Sequence, residues 1–104
     1  MRLHVRAVVE HDVGVDRAVE VVVTGIVQGV AVRWKANEEA ERLGVTGWVR
    51  NEPDGAVRAH AEGSSAAVDR FVDWCRRGPR FAVVERVDVR EVEPEGHRSF
   101  EIRL

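Results

Sequence analysis

The residues best placed to do chemistry lie in two short stretches. In the first, an apolar run, VEVVVT (Val19 to Thr24), is followed by GIVQGVAV and then by RWKANEEAERLG. An apolar strand that gives way to an amphipathic helix through a glycine-interrupted loop leaves several backbone N–H groups facing one place, and such a place suits an anion. Gln28, Gly29, Val30, Ala31 and Val32 form the loop, and Gly29 permits a tight turn with close backbone approach to a ligand. Arg33 falls in the first helical turn, where its fork of donors can reach back over the loop and grip a phosphate or carboxylate. The same spacing is also met by a plain helix start with a surface arginine.

The second stretch is GWVRNEPDGAV, Gly47 to Val57. It puts Asn51 at the end of a strand, just before a turn. A carboxamide offers both a donor and an acceptor, so it can hold a water in line without taking part in proton transfer. Taken alone, Asn51 is also an ordinary turn residue.

Other chemistries find less support. His4, His11, His60 and His97 show no metal-ligand spacing, there is no C-x-x-C, and no metal site is expected. Cys75 falls on the apolar stripe of a helix and reads as a core thiol. Ser64 and Ser65 read as helix caps. Neither a nucleophile elbow nor a Walker loop occurs. The middle strands carry no aromatics for stacking RNA bases.

The elements that must position the two stretches follow from periodicity. Val19–Val27 reads as a strand. A helix is expected over 32–43, with Val32, Ala36, Ala40 and Leu43 on one face and Gly44 ending it. Strands are expected over 45–51 and 56–62, joined by EPDG. In the second of these Val57, Ala59 and Ala61 alternate with Arg58, His60 and Glu62, which predicts a buried face and a wet one. A second helix starts at Ser64 or Ser65, buries Val68, Phe71, Val72 and Cys75, and stops at Gly78-Pro79. Strands over 81–92 and in SFEIRL complete the chain. The order β-α-β-β-α-β with an extra C-terminal strand predicts an α+β fold, a ferredoxin-like α/β sandwich with two helices on one face of an antiparallel sheet. Residues 1–18 join poorly to this unit and read as an N-terminal extension, a tail or an extra edge strand with Leu3, Val5 and Ala7 alternating. The domain proper is then 19–104.

Length and composition agree with one small soluble domain: 104 residues, 44% hydrophobic and 33% charged. A net charge of −2 argues against a general nucleic-acid or membrane-surface binder. No apolar run is long enough to span a bilayer, and the N-terminal residues make a poor signal peptide. One cysteine cannot form an internal disulfide, so a cytoplasmic location is expected.

The two stretches together resemble the acylphosphatase family. VTGIVQGVAVR (Val23 to Arg33) matches its first motif except that Val32 stands where phenylalanine is usual. GWVRNEPDGAVRAHAEG (Gly47 to Gly63) matches the second in full, and WCRRGP and SFEIRL are also family-like. The likeness covers about 19–104. It implies hydrolysis of small acyl phosphates to a carboxylate and inorganic phosphate, with no metal, no cofactor and no phosphoenzyme. It further implies a catalytic arginine at Arg33, a water-orienting asparagine at Asn51, a phosphate loop over Gln28, Gly29, Val30, Ala31 and Val32, and a monomeric protein whose partner is a small molecule. A non-catalytic acyl-phosphate-binding module of the same fold is the alternative, since such domains also occur joined to larger enzymes that handle carbamoyl phosphate.

Overall fold

The computed structural model describes residues 15–104. The expected edge strand over Leu3 to Ala7, and with it most of the N-terminal extension, lies outside the described residues. Seven elements follow: β1 (Arg17–Ile26), α1 (Val32–Leu43), β2 (Thr46–Asn51), β3 (Val57–Gly63), α2 (Ser65–Arg77), β4 (Val83–Val92) and β5 (Phe100–Arg103). The strands form one sheet in the order β4-β1-β3-β2-β5. The first three pairings are antiparallel, while β5 lies parallel to β2 through Gly47↔Phe100 to Arg50↔Arg103. The result is the expected ferredoxin-like sandwich with a mixed edge, because the last strand returns alongside β2 in the same direction. β1 starts at Arg17, and Ala18 is already buried in it, so the folded unit reaches slightly into the expected extension.

Both helices bury one stripe. Val32, Ala36 and Ala40 of α1 and Val68, Phe71, Val72 and Cys75 of α2 meet Val19, Val21, Val23, Val49, Val57, Ala59 and Ala61 from the sheet in one core. Phe71 is wholly buried and packs edge-on against Phe100, the centroids 5.6 Å apart. This contact anchors β5 to the core. The Ser64 hydroxyl accepts from the Ala67 N–H at 3.1 Å and starts α2, while Gly44, in the left-handed region, ends α1 by donating to the last-turn carbonyls.

Two local expectations are corrected. The strand expected from Phe81 starts at Val83, because Pro79 to Ala82 close a turn through Ala82 N–H to Pro79 O at 3.0 Å. The expected wet face of β3 is wet only at Arg58. His60 and Glu62 are 1% and 0% exposed. The β4–β5 connection folds over them: the Glu95 and Gly96 N–H groups donate to the Glu62 carboxylate, and Trp48 stacks on His60 with centroids 6.1 Å apart.

Candidate active site

The loop between β1 and α1 places the first group of residues. Gly29 has φ +77° with open space around its Cα, and Ala31 sits in the left-handed region at φ 66°, ψ 23° as the residue that caps α1. The first helical hydrogen bond runs from Lys35 N–H to Ala31 O at 3.0 Å. Among the described residues, no backbone N–H from Gly29 to Trp34 donates to a carbonyl in the turns, loops and caps. These donors sit at the positive end of a twelve-residue helix, which carries roughly half an elementary charge.

The loop opens onto a cleft of about 240 Å³ lined by Val27, Gly29, Ala31, Val32, Arg33, Trp34, Asn51 and Ile102. Arg33 and Asn51, 18 positions apart in the chain, therefore face one space. The Arg33 guanidinium is half-buried and donates from Nη1 to the Arg103 carbonyl at 3.3 Å. Among the described residues no carboxylate pairs with it. Asn51 ends β2 opposite Val57, immediately before the turn closed by Gly55 N–H to Glu52 O at 3.1 Å.

Two of the expected loop residues turn elsewhere. The Gln28 side chain does not line the cleft; its amide nitrogen donates to Glu52 O at 2.8 Å and to Ala56 O at 2.9 Å. It fastens the loop to the turn that follows Asn51. Val30 packs against the core. Val32 is buried between the cleft and an apolar void of about 10 Å³ that Phe71, Trp74 and Cys75 also line. Cys75 is buried there too, and burial pushes its thiol up to about 12, which rules out a thiolate nucleophile at neutral pH.

Three contributions escaped the sequence reading. Trp34, 61% exposed, and Ile102 form apolar walls of the cleft, and the Arg103 carbonyl holds Arg33. Alternation in SFEIRL gives the direction of Ile102 within β5. It gives no sign that β5 lies beside β2, which is what brings Ile102 and Arg103 to the cleft.

The fold is a ferredoxin-like α/β sandwich, and its β1–α1 loop, Arg33 and Asn51 open on one cleft. The acylphosphatase profile matches residues 19–102. An acylphosphatase from Nocardioides sp. is 62% identical over 86 residues, covering 83% of this chain and 87% of the relative. Among solved structures, an acylphosphatase from Bacillus subtilis aligns at a TM-score of 0.81 and 36% identity, over 84% of this chain and 98% of that one. HypF from T. kodakarensis aligns at 0.75 and 27% identity, over 85% of this chain but 12% of its own. This chain belongs to the acylphosphatase family. In the described residues no helix is long and apolar enough to cross a membrane.

Proposed function

We propose that this chain hydrolyses the carboxyl–phosphate anhydride of small acyl phosphates, with Arg33 and the loop N–H groups holding the phosphoryl oxygens and Asn51 orienting the attacking water. The observation that carries this reading is the convergence of Arg33, Asn51, Gly29, Ala31 and Val32 on one cleft. An acyl phosphate brings its own good leaving group. The water oxygen bonds to phosphorus, the bond from phosphorus to the acyl oxygen breaks, and the carboxylate departs while the water proton passes to the product phosphate or solvent. The protein has to spread the charge on the three phosphoryl oxygens and aim one water. A guanidinium, free amides and a carboxamide suffice for that, and none of them must ionise. The acyl end would face Trp34 and Ile102, walls suited to a carbon-rich group.

Phosphate release from acetyl and benzoyl phosphate in EDTA tests the reading. Arg33→Ala should lower kcat/KM by roughly 10³–10⁵ and Asn51→Ala by roughly 10²–10³, both with wild-type circular dichroism. Turnover near wild type in either variant sinks the assignment of that residue. The match to 12% of HypF shows that this fold also occurs as a small part of a longer chain, and the second reading is a module of the same fold that holds acyl phosphate without hydrolysing it. Tight phosphate binding with no phosphate release would decide for that module. A small-molecule partner follows from the hydrolase reading, a monomeric state is part of the same proposal, and the free, buried Cys75 supports a cytoplasmic location.

A further inference from the structure

On the sheet face opposite the helices, two pairs of side chains meet. His60 and Glu62 are two apart on β3, so both point the same way, and Glu95 and His97 are two apart in the β4–β5 connection that covers them. One ligating atom from each of the four lies within 4.8 Å of every other. His60 Nε2 is 2.6 Å from Glu62 Oε2, His97 Nε2 is 2.6 Å from Glu95 Oε1, and His60 Nδ1 is 3.8 Å from Glu95 Oε2.

Charge is what makes this cluster unusual. Glu62 is wholly buried, and its partners are His60 and the N–H groups of Glu95 and Gly96. Glu95 meets His60, His97 and the Trp48 indole N–H. Among the described residues no arginine or lysine pairs with either carboxylate, although the rest of this sheet face is crossed by arginine–carboxylate pairs such as Arg58–Glu20 and Arg90–Glu20. Beside these N–H donors, the only cationic partners open to the two carboxylates are imidazoles, and a buried carboxylate without a permanent cation is costly.

We propose that His60, Glu62, Glu95 and His97 form a structural site for a divalent cation of the zinc class. Such an ion cancels the two carboxylate charges while both imidazoles bind in neutral form. Two nitrogens and two oxygens are a donor set that zinc accepts in tetrahedral geometry, whereas magnesium and calcium prefer oxygen alone. With zinc bonds near 2.0–2.1 Å, tetrahedral donors stand about 3.4 Å apart. The 2.6 Å pairs would open by about 0.8 Å, and the wider ones, up to 4.8 Å, would close by as much as about 1.4 Å. The outer contacts needed to hold the ligands are in place: the loop N–H groups orient Glu62, and the Trp48 indole orients Glu95. Glu95 is half exposed, which leaves an entry path. The ion would clasp the 93–99 connection to β3 and so steady the approach to β5. It would lie on the other side of the sheet from the cleft, and the site stands whether or not the hydrolase reading holds.

The test uses the full chain, stripped with EDTA and exchanged into chelator-free buffer. Titration calorimetry with zinc should give one site per chain, and zinc at 100 times its Kd should raise Tm by at least about 5 °C. Magnesium and calcium should do neither. Cobalt(II) should give the visible absorption of a tetrahedral centre. His97→Ala and Glu95→Gln, both on the covering connection, should each weaken zinc binding at least about tenfold and bleach the cobalt spectrum. The same Tm in zinc and in EDTA overturns the proposal and leaves a network of shared protons. Zinc binding of undiminished affinity in His97→Ala and Glu95→Gln also overturns it, because the ion then sits on other residues, His4 and His11 among the candidates.

Discussion

Gln28 holds the backbone of Glu52: its side-chain amide donates to that carbonyl at 2.8 Å across 24 positions of sequence, and to the Ala56 carbonyl at 2.9 Å. The β1–α1 loop and the strand end that carries Asn51 are therefore one mechanical piece. Both carbonyls also accept a backbone N–H, from Gly55 and from Glu52, so losing the amide does not orphan them. Gln28→Ala should cost about 1–2 kcal/mol in urea unfolding. It should lower kcat about tenfold with little change in KM, since the aim of the water suffers more than the grip on phosphate. Gln28→Glu should be the worse variant, because a carboxylate cannot donate and would face two carbonyl oxygens. Equal kcat in all three proteins would show that the tie is irrelevant to turnover.

Ala31 is the one residue other than glycine with positive φ among the described residues. Its Cβ costs about 1–2 kcal/mol in that conformation, while glycine costs up to about 1 kcal/mol more in the freedom lost on folding. Ala31→Gly should therefore gain roughly 0.5–1 kcal/mol in urea unfolding, with activity within twofold of wild type. A loss of stability would mean the alanine methyl makes a contact worth more than the strain.

Val32 borders the apolar void beneath the loop. Val32→Phe should turn its ring toward that void, which has room for about one water, and bury apolar area worth about 1 kcal/mol at ~25 cal/mol/Å² if Phe71 and Trp74 shift to admit it. Tm should rise by about 4–8 °C, and benzoyl phosphate turnover should equal or exceed wild type. A fall in both would show that Phe71 and Trp74 have packed around valine and do not yield.

Gly47 has φ +142°, and a Cβ there would lie 1.8 Å from the His60 carbonyl oxygen. Backbone, unlike the tip of a side chain, cannot step aside. Gly47→Ala should lose about 3 kcal/mol or more in urea unfolding. A loss below about 1 kcal/mol would mean that β2 and β3 part more readily than their pairing suggests.

The two helices were readable because each has a regular apolar stripe and an explicit stop. The spacing of Val32, Ala36, Ala40 and Leu43, followed by Gly44, gave the bounds of α1 as they stand in the structure. The loop and Asn51 were readable as motifs with a known separation. The reading of β3 stopped halfway for a physical reason. Alternation tells which side of a strand a residue takes and says nothing about what later covers that side. The covering segment 93–99 is polar and without period, so the burial of His60 and Glu62 left no trace in the pattern. The side-chain bonds of Gln28 were equally silent, because a glutamine in a loop reads the same whether it meets a ligand or a carbonyl.

Arg33 rests on the carbonyl of Arg103, on a strand that among the described residues pairs only with β2. A ribosome that has reached Val92 has already made the loop, the arginine and the asparagine, yet not the rail on which the guanidinium leans. If Arg33 acts as proposed, competence should thus arrive abruptly, once β5 has docked beside β2, and not grow in step with the emerging chain.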